Sequence, residues 1–385
     1  MRIVFVTQPA LGHLLPLLPL ATAARDAGHD VVVVAGLSLA PAVAHAGLHH
    51  VVAGPPDLAA VFARVPERAG LTGRRLAVAT WRYAFAGLVA PALATGVLEL
   101  SRTWRPDLVV HEDSEQGSWI AAERLGVPHV TVQATAWRGS RYRLSAEPLG
   151  RLLSAHGLPA DPGLARWHRF GFLTTRPPAL HDPDDPMPRG TRPMRPEPSD
   201  EAGGEAVAWP EGPVDRRVVV TMGTVVPGRI GTLAAILDGL EQLGVPMVAT
   251  VGHDLDPTDL GPRPPTTRLA RYVPMSSILA GASLLVFHGG SGTMLAALAA
   301  GVPTVALPVA ADQPDNAERC VAAGVGVALA PDARDAAAVR EAAATVLGDP
   351  SYRAAALAVR DQIRAMPAPQ VVLRDLERLV ARGRW

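Results

Sequence analysis

Apolar runs of four to six residues recur along this chain, most of them followed by a Gly- or Pro-containing turn and then by a stretch with helical apolar spacing. The first unit is a strand at residues 2–7, a helix at 14–27 that runs through Pro16 and Pro19 and stops at Gly28, and a strand at 31–35. A strand, a helix and a strand in so short a span predict a right-handed parallel unit. The pattern continues with a helix at 37–47, a strand at 48–53, and a helix at 74–103 with Pro91 as its breaking point. Strands at 107–111 and 129–133 then flank a helix at 115–125. Residues 55–73 carry no clear pattern.

Residues 176–215 are crowded with Pro, Asp, Arg and Gly, which cannot sustain long regular elements, so a domain boundary is expected near 198–214. A second alternating series follows, with strands at 217–222, 246–252 and 268–273 and helices at 231–243 and 276–280. Residues 284–287 have the length and composition of a buried parallel strand. That strand feeds His288-Gly289-Gly290-Ser291-Gly292-Thr293, then an Ala- and Leu-rich helix stopped by Gly301 and Pro303, then a strand at 302–307. Helices are expected at 332–347 and 351–365, with a last amphipathic one at 369–382. At 385 residues the chain is long enough for two domains.

Composition narrows the chemistry. The formal net charge is zero, so nothing points to nucleic acid as a partner. All 36 basic residues are Arg, which excludes Schiff-base chemistry, a pyridoxal lysine and a Walker-type phosphate lysine. The single Cys320 has no internal disulfide partner, and a reducing cytoplasm is the natural location. No stretch of about 18 apolar residues escapes Pro, Gly or charge, so no membrane span is expected. The N-terminal run is interrupted by Gly12, His13 and Pro16 and does not read as a signal peptide.

A Gly-rich turn entering a helix leaves backbone N–H groups beside the positive end of the helix dipole, which makes a phosphate site. Glycines there let an anion approach the backbone, Ser291 and Thr293 add hydroxyl donors, and His288 adds a ring N–H or a charge. Asp312-Gln313, at the carboxyl end of the next strand, sets a carboxylate beside an amide, a pairing suited to vicinal hydroxyls. In the first half, His13 lies in the loop after the first strand, on the edge where open α/β sheets bind ligands. That loop is not G-x-G-x-x-G, which argues against a dinucleotide.

The run HGGSGT followed by GVPTVALPVAADQPDNAER, within residues 288–319, resembles the donor-site signature of the GT-B glycosyltransferases of family 1. More narrowly, it resembles the bacterial natural-product glycosyltransferases that use nucleotide-activated sugars. The resemblance spans nearly the whole chain and implies an α/β GT-B fold, two Rossmann-like domains facing across a cleft. It implies an N-terminal acceptor-binding domain at 1–204, a C-terminal donor-binding domain at 205–366, and a C-terminal helix at 367–385 that packs back on the first domain.

The same resemblance implies roles. His13 would be the general base, with Asp113 (the preferred choice) or Glu112 as the carboxylate that orients it. Gly12 would be donor-binding, Gly223, Thr224, His288, Gly290, Ser291, Gly292 and Thr293 would line the donor diphosphate, the backbone at Val273 would hold the base, and Asp312 and Gln313 the sugar. Ala296 stands where plant relatives carry a ribose-binding Glu, which favours a dTDP-sugar over a UDP-sugar. Twelve of the seventeen aromatic residues precede residue 197, and Trp81, Phe85, Trp137 and Tyr142 are candidates for an apolar acceptor pocket.

The implied reaction is inverting transfer of a (deoxy)sugar to a hydroxyl of a hydrophobic natural-product acceptor, such as a polyketide or antibiotic aglycone, with no metal and no cofactor. Asp182-Pro183-Asp184 and Asp254-Leu255-Asp256 match the D-x-D of metal-dependent glycosyltransferases of another fold, but sit among prolines or in loops and read as turn acids. A C-glycosyltransferase, and a non-catalytic partner of another glycosyltransferase, stay open as alternatives, as does a homodimer.

Overall fold

The computed structural model describes residues 1–198, 204–205, 207–223, 229–252, 255–331 and 333–383. It divides into two compact units: Met1–Thr175 with Pro183–Ser199 and Pro367–Trp385, and Arg176–Asp182 with Asp200–Met366. Each is built on one parallel sheet.

The first unit holds strands β1 (Arg2–Val6), β2 (Asp30–Ala35), β3 (His49–Val52), β4 (Leu108–Glu112), β5 (His129–Val132), β6 (Phe172–Thr174) and β7 (Thr191–Pro193). Their order is β3-β2-β1-β4-β5-β6-β7. β1 and β4 are sequence-distant neighbours, with Val6 opposite His111, so the loop leaving β1 lies beside the end of β4. Open parallel sheets of this kind reverse their order at such a pair and place ligands there. β6 and β7, three residues each, are too short to carry a periodic signal.

Two helices depart from the sequence expectation. The helix expected at 14–27 is two pieces, Leu11–Leu14 and Leu18–Asp26. Pro16 has no N–H to give, and the join is made by tighter bonds from Leu17 N to Leu14 O (2.9 Å) and Leu18 N to Leu15 O (3.3 Å). The helix expected to break at Pro91 does not break. It runs from Gly73 to Leu100, with Ala79–Val89 wound as a π-helix. The wider turn before Pro91 relieves the ring's clash with the preceding turn, and Pro91 enters at the start of the α-helical piece Ala90–Leu100. By length and composition alone this helix could cross a membrane. Its apolar residues Ala84, Phe85, Val89, Leu93 and Val97 are instead buried in one core with Trp119, Ile120 and Trp167.

The helix Pro369–Arg382 belongs to the first unit. Val372, Leu373, Leu376 and Leu379 share a core with Leu17, Leu20 and Ala24, and Glu377 Oε1 meets His29 Nε2 at 2.9 Å.

The second unit holds β8 (Val218–Thr221), β9 (Met247–Thr250), β10 (Thr267–Ala270), β11 (Leu284–Phe287), β12 (Thr304–Ala306) and β13 (Gly326–Ala328), in the order β10-β9-β8-β11-β12-β13. The order around β8 and β11 repeats that around β1 and β4. The helix expected at 332–347 begins at Ala336, where the Asp335 carboxylate accepts from Ala338 N at 2.8 Å and caps it. Residues Arg176–Asp182 return to this unit: Leu180 is buried in its core, Ala179 N donates to Gln362 Oε1 at 3.0 Å, and Asp182 meets Arg319 at 3.5 Å.

Candidate functional site

The first cluster stands at the carboxyl ends of β1 and β4. Because the helix after β1 breaks at Pro16, His13 sits on an isolated turn at the sheet edge, its side chain 18% exposed. His13 Nδ1 lies 3.3 Å from Glu112 Oε1 and 3.1 Å from Ser114 Oγ. Ser114 Oγ donates to Glu112 Oε1 at 2.9 Å, so its lone pair faces His13 and the proton between them belongs to Nδ1. In the neutral ring the lone pair is then on Nε2, the tautomer a general base needs. Glu112 also accepts from Ser114 N (2.6 Å) and Gln8 N (3.2 Å). Burial alone would push Glu112 up, but the charge and hydrogen bond of His13 and the Ser114 bonds hold it below its ordinary value.

Asp113, the preferred partner on sequence, does not face His13. Successive residues at a strand end point to opposite sides, and Asp113 N continues the ladder to Val132 O at 3.0 Å. The Asp113 carboxylate therefore takes Ala134 N (2.9 Å), Thr135 N (3.1 Å), Thr135 Oγ1 (2.9 Å) and Tyr142 OH (3.1 Å). Burial and the Glu112 charge push it up to about 7 against those donors. Glu115 is a third fully buried carboxyl, also pushed up to about 7 by burial, with Gly117 N and Ser118 N donating to it. Below them His111, His129 and His168 are buried, and burial lowers all three, His111 to about 3.

The second cluster stands at the carboxyl ends of β8 and β11 in the other unit. The helix Ser291–Ala299 starts from Gly290, which has no side chain to cap the first turn. The first-turn N–H groups of a helix have no partner within it, so this end can receive an anion. The His288 ring is wedged between two glycines. A Cβ on Gly223, whose φ is +65°, would lie 2.6 Å from His288 Cε1, and one on Gly290 would lie 2.5 Å from His288 Nε2. Both positions need glycine if the ring is to stay beside the turn. Gly292 is exposed and Thr293 half-buried on the same turn. Thr224 lies outside the described residues.

Ser291 Oγ donates to Asp312 Oδ2 at 2.7 Å. Gln313 Oε1 accepts from Val309 N (2.8 Å) and Ala310 N (2.9 Å), which shapes the loop before Asp312, where Ala311 has a φ of +56°. Two participants were not legible in the sequence. Arg176 Nη2 donates to Ser291 Oγ (2.7 Å) and Asn316 Oδ1 (2.6 Å), and Asn316 Nδ2 donates to Gly289 O (2.7 Å). Asn316 lies one turn past Asp312 on the helix Gln313–Ala322, spacing that could have flagged it. Arg176 carried no signal, since only the return of its segment to the second unit places it there.

The remaining candidates are scattered more widely. Gly12 is exposed next to His13, and Val273 is buried in the second unit's core. Trp81, Phe85 and Tyr142 are 7%, 6% and 6% exposed, inside the core of the first unit. Their rings pack in series, Trp81 edge-on to Phe85 at 6.0 Å, and tilted between Trp81 and Tyr142 at 5.2 Å and between Tyr142 and the half-buried Trp137 at 4.5 Å. Asp182 is paired with Arg319, and Asp254 lies outside the described residues.

Comparison with known proteins agrees with this layout. The N-terminal domain model of the erythromycin biosynthesis protein CIII-like family matches residues 22–223, and its C-terminal domain model matches residues 234–379. The L-demethylnoviosyl transferase of Streptomyces niveus is 33% identical over 98% of this chain and 97% of its own length. The glycosyltransferase SnogD of Streptomyces nogalater superposes with a TM-score of 0.79 at 29% identity, covering 99% of both chains. The spinosyn rhamnosyltransferase SpnG, solved with thymidine diphosphate and with spinosyn aglycone, gives 0.77 at 28% identity over 98% of this chain and all of that one. The fold is the GT-B fold. The chain belongs to the erythromycin biosynthesis protein CIII-like family, and it is a glycosyltransferase of antibiotic and natural-product sugar transfer.

Proposed function

We propose that this enzyme moves a sugar from a dTDP-sugar to a hydroxyl of a hydrophobic natural-product aglycone, with inversion and without a metal. The observation that carries the reading is the His13–Glu112 pair, 3.3 Å apart at the carboxyl edge of the first sheet. In the proposed step His13 Nε2 takes the acceptor proton as the acceptor oxygen attacks the anomeric carbon. Nδ1–H stays on Glu112 and Ser114, and the buried Glu112 charge stabilises the imidazolium that forms. A positioned base of this kind contributes about 10²–10⁴ in rate.

The bond from the anomeric carbon to the diphosphate breaks as the new bond forms, and the charge left on the diphosphate needs donors. The uncapped start of the helix Ser291–Ala299, with His288 beside it, suits that charge and takes the part a metal plays elsewhere. The thymidine diphosphate bound by SpnG and the absence of a carboxylate at Ala296 favour dTDP over UDP. The spinosyn aglycone bound by SpnG favours an aglycone acceptor. Asp312 and Gln313 are assigned to the sugar hydroxyls. We assign the enzyme to the cytoplasm.

Calorimetry with dTDP and UDP tests the donor, and turnover by wild type with and without EDTA and by His13→Ala tests the chemistry. We expect dTDP to bind more tightly than UDP, turnover to survive EDTA, and His13→Ala to lose about 10²–10⁴ in kcat/KM. Full activity in His13→Ala would sink the base assignment, and loss of activity in EDTA would sink metal independence.

A further inference from the structure

Arg176 is 4% exposed and lies against the underside of the Gly-rich turn, where no ligand-binding motif called for it. A guanidinium only donates, so its contacts fix the polarity of everything downstream. Ser291 Oγ accepts from Arg176 at 2.7 Å, and its one proton therefore goes to Asp312 Oδ2 at 2.7 Å. Asn316 Oδ1 accepts from Arg176 at 2.6 Å, which settles which way its amide is turned. One hydrogen of the amide nitrogen then donates to Gly289 O (2.7 Å), and the other is shared between Ser291 Oγ (3.1 Å) and Asp312 Oδ2 (3.1 Å). Arg176 itself stands 3.9 Å from Asp312 Oδ2. One buried nitrogen, Arg176 Nη2, thus holds the two side chains, Ser291 and Asn316, that both go on to donate to the Asp312 carboxylate.

We infer that Arg176 is a positioning residue for the sugar half of the donor: through Ser291 and Asn316 it holds the Asp312 carboxylate in the orientation that meets the hydroxyls of the transferred sugar. The inference rests on the proposed donor reading. It differs from a role on the diphosphate, because the bonds from Arg176 lead to Asp312. Both bonds leave one nitrogen, Nη2. Arg suits the place because its planar guanidinium fixes the directions of that nitrogen's two hydrogens, which the freely rotating ammonium of a Lys on a flexible stem does not.

The test is calorimetric binding of dTDP and of dTDP-glucose to wild type, Arg176→Met, Arg176→Lys and Ser291→Ala, with melting temperatures measured alongside. Ser291→Ala removes one oxygen and keeps the fold, so it carries the test if the Arg176 variants are unstable. All three variants should weaken dTDP-glucose about tenfold more than dTDP, and combining Arg176→Met with Ser291→Ala should add little to either alone. Equal losses for the two ligands, or no loss for either, would overturn the inference while leaving the donor site standing. Failure of wild type to bind dTDP at all would overturn the donor reading, and this inference with it.

Discussion

Glu112 and Asp113 are consecutive, both fully buried, and committed to different neighbours: Glu112 Oε1 lies 3.3 Å from His13 Nδ1, while Asp113 accepts from Ala134, Thr135 and Tyr142. The strand-end alternation that separates them makes one a support for the base and the other a brace for the loop after β5.

Their amide variants should therefore fail in different ways. Glu112→Gln keeps the volume but removes the charge that faces an imidazolium, and its amide can offer His13 the wrong polarity. We expect a loss of roughly 10²–10⁴ in kcat/KM, with a stability cost of about 1–3 kcal/mol because the amide also meets the donors Ser114 N or Gln8 N. Asp113→Asn brings an NH₂ against groups that already donate, at a cost of about 1–3 kcal/mol in stability, and should change kcat/KM less than tenfold. The reverse pattern would return the partner role to Asp113. Steady-state kinetics and urea titrations of the two variants decide it.

Glu115 makes stability depend on pH with a definite sign. Burial raises it from its ordinary 4.5 to about 7. Between those values the unfolded chain sheds a proton that the folded chain keeps, so the folded state loses stability as pH rises, by about 3 kcal/mol in all. Glu115→Gln cannot lose that proton. At pH 5 the variant should be less stable than wild type, because an amide replaces acceptors for Gly117 N and Ser118 N. The deficit should shrink by pH 8. His111, His129 and His168 act oppositely: burial lowers them, so their contribution is lost as pH falls below about 6.5. They are present in both proteins and cancel in the comparison. Unfolding midpoints that keep a constant gap from pH 5 to 8 would contradict the assignment.

The turn around His288 predicts a rescue. An alanine at Gly290 would set a Cβ 2.5 Å from His288 Nε2, and the ring must move. Since φ at Gly290 is −66°, the backbone itself tolerates alanine. Gly290→Ala should thus weaken dTDP about tenfold, or about 1.4 kcal/mol, by displacing the ring rather than by straining the chain. Adding His288→Ala removes the clash, so the double variant should bind dTDP no worse than His288→Ala alone. Additive losses would mean that Gly290 contacts the ligand directly.

Much of this was legible in the sequence because the signals are local. The apolar run of β11, the glycines after it and the Ala-rich helix appear where periodicity placed them, and His13 stands at the carboxyl end of β1 as its loop implied. What was not legible depended on a second dimension. A pair of consecutive carboxylates looks the same from either side until the strand's facing is known, which left Glu112 and Asp113 unresolved. Arg176 reads as part of a Pro-rich linker and becomes meaningful only when residues Arg176–Asp182 return to the second unit. Pro91 looked like a helix end because the pattern carries no trace of the π-wound turn that accommodates it.

The aromatic residues show where composition misleads, and they give the last prediction. Twelve aromatics in the first half suggested an acceptor pocket, yet Phe85 is packed against Trp81 and Phe62, at 6.0 and 6.5 Å, inside the core. Phe85→Ala should cost about 3–5 kcal/mol of stability and leave the acceptor KM of the protein still folded unchanged. Trp137 differs: it is half-buried in the loop after β5, and its ring lies 4.5 Å from Tyr142 and 5.4 Å from Phe172. It follows β5 at the carboxyl edge of the sheet that carries His13, and part of it stays exposed there. Trp137→Ala should raise the KM for an aglycone about tenfold, with less lost stability than Phe85→Ala and no change in dTDP affinity. If instead both variants lose stability alike and neither moves the acceptor KM, Trp137 is core as well, and the acceptor must be held by other side chains of the loops at that edge.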